Sequence, residues 1–231
     1  MIPQVKSLVR KKVPFVAPVA RAARACLHAI NDERRHRHSQ ERIRRLLREG
    51  GGILLELGAG DKKGEGGWVT VDVSPNCDLF WDLRRGLPFP DASVQKVYSA
   101  HFLEHLSFDD GQRLLNECRR ILVPGGTFSI CVPNARLYIE AYVYGHPLDE
   151  DLYFAFKPAY NSTTSIDYVN YMAYMGGHHH YMFDEDNLLY LLSAKGFKNA
   201  HLRDFDPSLD PKARDFESIY AEGIKQTGPG D

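Results

Sequence analysis

Two acidic residues close short apolar runs in the first half of the chain, and their spacing is typical of a nucleoside site. Residues 53–60 read Ile-Leu-Leu-Glu-Leu-Gly-Ala-Gly, so Glu56 lies just before a Gly-x-Gly turn. The next apolar run, 68–73, contains Asp72 at its end. Glycines let the backbone approach a ligand closely, and an acid at the tip of the second strand of an open α/β sheet accepts both ribose hydroxyls. This pairing predicts a nucleoside pocket.

The chemistry of the segment favours a nucleoside without phosphate. A dinucleotide needs a third glycine and a helix start for its pyrophosphate, and neither is evident after the first strand. S-adenosylmethionine (SAM) carries an ammonium, a sulfonium, a ribose and an adenine. Acids at positions 56, 72 and 82 suit the ammonium, the ribose diol and the adenine amine. We therefore predict SAM as the ligand.

The elements that must position these residues alternate between strand and helix, which is typical of a parallel sheet. We predict an α/β fold with a seven-stranded, mostly parallel, Rossmann-like sheet. The predicted strands are 53–57, 68–73, 78–83, 94–100, 127–132, 198–205 and 218–225, and the predicted helices are 109–122 and 184–195. Residues 124–126 predict a turn before the fifth strand. Only residues 58–67 separate the first two strands, so we expect a loop or a single helical turn there in place of a crossover helix.

The chain divides into a basic segment and an acidic body. Residues 1–50 hold 13 Lys and Arg against 4 Asp and Glu, whereas residues 51–231 hold 16 against 26. We predict a basic helical N-terminal arm over 1–50 and a single domain over 51–231, with glycines 50–52 at the boundary. Three prolines within residues 1–18 preclude one helix over that stretch.

A long insertion, 134–183, follows the fifth predicted strand. It contains nine of the twelve tyrosines and the run His178-His179-His180. A segment of this length between core elements is usually a functional lid or a binding subdomain. Tyrosines can stack on a sugar with one face and donate a hydrogen bond from the tip, although packing alone also explains them. We predict a substrate-binding lid.

Four motifs in order resemble the class I SAM-dependent methyltransferases. They read ELGAG, GWVTVDV, WDLRRGLPFPDASVQKVYSAHFLEHL and RRILVPGGTFSICVPN. The resemblance is to the type-11 small-molecule group, and more narrowly to a branch associated with polysaccharide biosynthesis. It covers residues 53–134 closely and 184–225 loosely.

The resemblance implies that the matching positions contact SAM, and these are Glu56, Gly58, Ala59, Gly60, Asp72, Val73, Asp82, Leu83 and His101. The acid and glycines of the first motif would form the floor under the methionine part. Asp72 would hold the ribose, and Val73 would pack on the adenine. Asp82 would accept from the adenine amine, and His101 would border the substrate mouth. Lys62 stands where the family pattern has its third glycine.

From the resemblance we predict an enzyme that transfers a methyl group to an oxygen of a sugar, glycan or other small molecule. The protein mainly has to align the acceptor oxygen with the methyl carbon. The hydroxyl must also lose its proton, and histidine titrates near neutrality. His101, His178 and His179 are the candidate bases. For His105, in the Leu-Glu-His signature, we favour a structural hydrogen bond over catalysis.

The histidine run also raises the question of a metal. Adjacent histidines cannot easily converge on one ion, and no Asp, Glu or Cys shows paired ligand spacing with them. The sequence therefore predicts no metal site.

The basic arm leaves the partner and the location open. A solvated helical face is favoured, ahead of contact with anionic lipid or a lipid-linked glycan, a nucleic-acid contact and a cleaved organellar presequence. Four scattered cysteines fit a reducing compartment, and no apolar run reaches the roughly 18 residues of a membrane span. We expect a cytoplasmic protein, with peripheral contact to the inner face of the membrane as an alternative.

Three other functions stay open at this point. They are an RNA or protein methyltransferase that uses the basic arm, a Rossmann-type dehydrogenase that binds NAD, and a SAM-binding module without transferase activity. The acceptor and the oligomeric state are not determined by these patterns.

Overall fold

The described part of the chain contains one seven-stranded mixed sheet. The computed structural model describes residues 16–226, with side chains from residue 20 onward, and its strand order is β3-β2-β1-β4-β5-β7-β6. The strands are β1 (Leu54–Leu57), β2 (Trp68–Asp72), β3 (Leu79–Phe80), β4 (Val94–Ala100), β5 (Leu122–Pro133), β6 (Phe197–Leu202) and β7 (Ser218–Lys225). The first five run parallel, and β7 is antiparallel to both of its neighbours. The predicted mostly parallel, Rossmann-like fold class is confirmed.

Strand β1, at the centre of the sheet, is mostly apolar and buried, as expected for a strand that is covered on both faces. Leu55 and Leu57 of β1 and Val97 of β4 are fully buried. From β1 the chain moves outward to β3 and then returns to β4 on the other side of β1. Ligands of open α/β sheets bind beyond the carboxyl ends of the strands at such a reversal of strand order.

The strand bounds agree with prediction at β4 and β7 and differ at β3 and β5. β3 ends at Phe80 because Asp82 caps a 3-10 turn, Leu83–Arg85, with its side chain. The prediction of a turn over residues 124–126 is wrong. Those residues lie inside β5, which begins at Leu122 and pairs with β4 through an irregularity in register.

The connection between β1 and β2 contains no helix, as expected from its length. Residues 58–67 form turns and extended segments, and Gly58, Gly60, Gly66 and Gly67 all have positive φ. Left-handed backbone is readily available to glycine, so these residues allow a short crossover.

Two helices flank the sheet close to their predicted bounds. Helix α2 (Phe108–Ile121) buries Leu114, Leu115, Cys118 and Ile121 on one face, and Ser107 caps its N-terminus. Of the four helices between β5 and β6, the last is α6 (Glu185–Ala194), which is capped by Asp184 and followed by Gly196 at φ 81°.

Helix α1 (Val16–Glu49) begins in the basic segment and ends at the predicted glycine boundary. Pro18 lies in its first turn, where proline is tolerated, and residues 1–15 lie outside the described part. The second half of α1 packs on the body: Ile43 joins the main core, and the Ser39 hydroxyl accepts from the backbone N–H of Phe80 at 2.8 Å. Residues 21–31 are exposed throughout.

The insertion contains α3 (Ala135–Tyr144), α4 (Glu150–Tyr153) and α5 (Ile166–Tyr174), and it has an aromatic core of its own. Phe154 is fully buried at its centre and stacks on Tyr160 with ring centroids 3.9 Å apart. Tyr138 and Tyr171 are buried against it. Packing therefore accounts for a share of the tyrosines, while Tyr142, Tyr144 and Tyr174 face outward.

Within residues 16–226, every helix is either too short or too polar to span a membrane.

Candidate functional site

A pocket of about 230 Å³ opens beyond the carboxyl ends of β2, β3 and β4, beside the reversal of strand order. Its lining residues are Asp72, Val73, Trp81, Asp82, Leu83, Arg84, Phe102, His105 and Leu106. The structure thus brings together four of the nine predicted SAM contacts, at positions 72, 73, 82 and 83. Trp81, Arg84 and Phe102 were not predicted from the sequence.

Asp72 is held in place by the backbone around it. One carboxylate oxygen accepts the N–H of Gly60 and the other accepts the N–H of Ser74, each at 2.9 Å. Each carboxylate oxygen has a further lone pair, so the group can still accept two hydroxyls. Beside it, Val73 exposes 56% of its surface, although it is apolar.

The glycines of the first motif act through backbone geometry. Gly58 has a φ of 69°, and a Cβ built on it would lie 2.0 Å from the ring of Phe102. Its N–H donates to the carbonyl of Val71 at 2.9 Å. Gly58 is therefore required by packing, and Gly60 by its hydrogen bond to Asp72. Neither these two residues nor Ala59 lies among those that line the pocket.

Glu56 already has a partner within the chain. Its carboxylate lies 2.6 Å from the Nζ of Lys62, while the residue as a whole is buried. Lys62 occupies the position at which the family pattern has a glycine, and its ammonium takes the place predicted for that of SAM.

Asp82 also has a partner within the chain, because it accepts hydrogen bonds from Arg84. Arg84 donates to it from Nε at 2.9 Å, from Nη2 at 3.0 Å and from the backbone at 3.1 Å. The side-chain hydrogen bond from Arg84 is the main cause that lowers the pKa of Asp82, despite an opposing effect of partial burial. Asp82 is thus a carboxylate, the form that can accept from an amine.

A second cavity of about 290 Å³ lies next to the first. Its lining residues are His101, Glu104, His105, Phe156, Met175, His178, His179 and Arg214. His105 lines both cavities. The walls come from the segment after β4, from the insertion and from the 3-10 turn Lys212–Glu217 before β7.

His101 lies at the base of this cavity with an unusual backbone. Its φ is 49°, and its N–H donates to the carbonyl of Cys131 at the end of the sheet. Nε2 lies 2.8 Å from the hydroxyl of Ser218, and Nδ1 lies 3.6 Å from a carboxylate oxygen of Glu104. Burial is the main cause that lowers the pKa of His101, so the imidazole is neutral near pH 7.

Glu104 is the least solvated ionisable group of the cavity. Only 2% of it is exposed, and neither carboxylate oxygen has a hydrogen-bond partner among the described residues. Burial raises its pKa above the ordinary value. Its backbone carbonyl accepts the N–H of His180 at 2.8 Å, which ties the histidine run to the Leu-Glu-His turn.

The three consecutive histidines differ in position. His179 is buried, its Nδ1 lies 2.7 Å from the carbonyl of Met172, and its ring contacts that of His105 edge-on at 4.9 Å. His178 and His180 are exposed. Glu104 lies beside His179 in space, although sequence spacing does not link the two residues.

His105 has the structural hydrogen bond that we favoured for it. Its Nδ1 lies 2.9 Å from the carbonyl of His178. Its place between the two cavities was not predicted, although the Leu-Glu-His signature was the available signal.

Comparison with known proteins gives a family match within this region. Residues 81–130 match the model of the Methyltransferase domain family. This segment includes Asp82, His101, Glu104 and His105.

Two curated relatives overlap with part of the chain. A protein of Mycolicibacterium smegmatis, named as an S-adenosylmethionine-dependent methyltransferase, is 46% identical over 57 residues, which are 23% of this chain and 21% of the relative. A ubiquinone/menaquinone biosynthesis C-methyltransferase of Acidiphilium cryptum is 31% identical over 117 residues, which are 51% of this chain and 44% of the relative. The matched part of the chain thus spans less than half the length of either relative.

Among solved structures, an S-adenosylmethionine-dependent methyltransferase of Mesorhizobium loti aligns with a TM-score of 0.47 at 18% identity, over 80% of this chain and 96% of that one. The family match and the two relatives support the class of SAM-dependent methyltransferases, enzymes whose methyl donor is SAM.

Proposed function

We propose that this protein is a SAM-dependent methyltransferase that methylates a hydroxyl of a sugar, glycan or other small molecule. The observation that carries the proposal is the juxtaposition of the two cavities, with His105 as their common wall. A transferase needs a donor site and an acceptor site that meet at one point. The acidic pocket fits the donor, and the imidazole-lined cavity fits a polar acceptor.

The residues of the first pocket fit SAM. Asp72 presents a fixed carboxylate with free lone pairs for the ribose hydroxyls. The exposed face of Val73 is apolar surface that an adenine ring would cover, and Asp82 would accept from the adenine amine. The methionine part would extend toward Gly58, Gly60 and Glu56. SAM supplies the activated methyl group, and the chain supplies binding and alignment.

The second cavity supports a hydroxyl acceptor. Burial lowers the pKa of His101 and of His179, so these two imidazoles are neutral near pH 7, and Arg214 adds a cation to the wall. Of the three candidate bases, His101 and His179 are buried in this wall and His178 is exposed. We propose His101 as the proton acceptor, because its Nδ1 has no hydrogen-bond partner among the described residues.

Binding and transfer can be tested separately. We expect calorimetry to detect SAM binding to the wild-type chain, and Asp72→Asn to weaken it about 10- to 100-fold, since a hydrogen bond to a charged group contributes about 1.5–3 kcal/mol. Asp109→Asn, at an exposed acid in the first turn of α2, is the control and should leave affinity unchanged. Unaltered affinity in Asp72→Asn would contradict the donor site.

Transfer of a labelled methyl group from SAM to a panel of mono- and oligosaccharides tests the acceptor. We expect label in ether linkage on a sugar, and His101→Ala should lower the transfer of label more than it lowers SAM affinity. Label on RNA or protein alone would overturn the acceptor class. SAM binding without any transfer to a cell extract would instead indicate a binding module.

A further inference from the structure

The second cavity contains three potential metal ligands from separate parts of the chain. They are a carboxylate oxygen of Glu104 and one ring nitrogen each of His105 and His179, and all three atoms lie within 4.8 Å of one another. The 3-10 turn Leu103–His105 supplies two of them, and the loop after α5 supplies the third. The backbone bond between Glu104 and His180 fixes the two segments together.

The burial of the Glu104 carboxylate is a second observation, independent of the distances, that favours a bound ion. Glu104 is 2% exposed, and both of its oxygens lack a hydrogen-bond partner within the described residues. A buried polar group without a hydrogen bond is costly, and a bound cation would offset that cost for this carboxylate. One of these oxygens lies 3.6 Å from Nδ1 of His101 and 3.9 Å from Nε2 of His105.

The hydrogen bonds of the two ligand histidines define which nitrogen is free. Nδ1 of His105 lies 2.9 Å from the carbonyl of His178, and Nδ1 of His179 lies 2.7 Å from that of Met172. A carbonyl can only accept, so both Nδ1 atoms carry hydrogen, and in a neutral imidazole Nε2 then has the lone pair. A ring N–H donated to a backbone carbonyl is the usual second-shell support of a metal-ligating histidine.

We propose that Glu104, His105 and His179 bind one divalent first-row transition-metal ion. Two imidazoles and one carboxylate suit Zn²⁺, Mn²⁺, Fe²⁺, Co²⁺ or Ni²⁺, whereas Mg²⁺ and Ca²⁺ prefer oxygen ligands alone. Ligand atoms around a tetrahedral ion with bonds of about 2.0–2.1 Å lie roughly 3.4 Å apart, so modest side-chain rotation closes the site.

The role of the ion, unlike its binding, rests on the proposed function. All three ligand residues line the acceptor cavity, so an ion that they held would be accessible to a bound acceptor. An ion there would bind oxygens of the acceptor and orient them toward the donor pocket across His105. His179 would then be a ligand, and His101 and His178 would remain of the three candidate bases for the proton.

Metal content of an untagged chain tests the site. After treatment with a chelator and dialysis against Zn²⁺ or Co²⁺, we expect about one equivalent of metal per chain, and visible absorption from the Co²⁺ form. Glu104→Gln and His179→Ala should each weaken binding by more than roughly 100-fold, since even second-shell changes cost 10–100-fold. His178→Ala and His180→Ala are the matched controls from the same run and should bind as the wild type does.

The outcomes separate this site from the proposed function. Wild-type affinity for Zn²⁺ in both Glu104→Gln and His179→Ala, or no stoichiometric metal in the wild type, would overturn the metal site. Calorimetric SAM binding and circular dichroism check that each variant is folded. Asp72→Asn should lose SAM affinity and keep its metal, so the donor site can fail while the metal site stands.

Discussion

At the scale of residues, the two acids predicted to bind the donor, Asp72 and Glu56, differ in their partners within the chain. Asp72 accepts two backbone N–H groups and is held rigidly, while Glu56 is paired with the flexible ammonium of Lys62. The sequence predicted both acids as ligands. Lys62 was noted only as the replacement of a glycine, and its contact with Glu56 depends on how the short crossover folds back on β1.

Lys62→Met should therefore tighten SAM binding. If Glu56 holds the ammonium of SAM, removing the competing ammonium frees the carboxylate. The pair is half-exposed on the Lys62 side, so the gain should be at most about fivefold. Calorimetry at low ionic strength measures it, with Lys63→Met as the control. Weaker binding in Lys62→Met alone would show that Lys62 contacts the ligand instead.

At the scale of elements, the basic helix α1 is joined to the sheet by a network around Asp78. Arg42 of α1 donates to one oxygen of this acid at 2.8 Å. The N–H groups of Gly64 and Thr70 donate to the other oxygen. One buried carboxylate thus connects α1, the short crossover and β2.

Asp78→Asn should lower the free energy of unfolding on the order of 2 kcal/mol at pH 7. Burial raises the pKa of Asp78, but the hydrogen bonds from Gly64 and Thr70 and the charge of Arg42 outweigh it and hold the pKa below its ordinary value. A depressed pKa stabilises the fold above the pKa of the unfolded state, and this contribution is lost as pH falls through the folded-state pKa. The difference between wild type and variant should therefore shrink below about pH 4.

Urea denaturation at several pH values measures this difference. Asp32→Asn is a matched control, because Asp32 pairs with Arg35 on the exposed surface of the same helix. A stability difference for Asp78→Asn that persists unchanged at acid pH would contradict the assignment.

At the scale of the whole molecule, the insertion is joined to the sheet beside the second cavity. Tyr138 is fully buried, and its hydroxyl donates to the carboxylate of Glu217 at 2.6 Å. Glu217 also accepts from Nε of Arg214, which lines the cavity. The aromatic core of the insertion is thereby coupled to the 3-10 turn before β7.

Tyr138→Phe should lower the free energy of unfolding by about 1–3 kcal/mol, because it removes one partner of a buried carboxylate. Thermal and urea unfolding measure the loss, and Tyr144→Phe, at an exposed tyrosine of the same helix, should have no effect. Equal stability of the two variants would show that this contact does not hold the insertion in place.

What the sequence determined by itself is local. Apolar runs predicted β1, β2 and β4. The ends of the second and third predicted strands, 68–73 and 78–83, placed Asp72, Val73, Asp82 and Leu83 near one edge, because parallel strands align their carboxyl ends. The order of motifs also predicted the enzyme class and the donor, in agreement with the family match and the curated relatives.

The contacts that only the tertiary structure decided join residues far apart in the chain. Glu104 and His179 are distant in the chain and meet because a backbone bond joins the insertion to the turn after β4. No local pattern encodes that contact, since neither periodicity nor spacing links the two segments. The proposed metal site and the shape of the acceptor cavity follow from the docking of an insertion with its own core, and such docking is specified by packing of the whole fold.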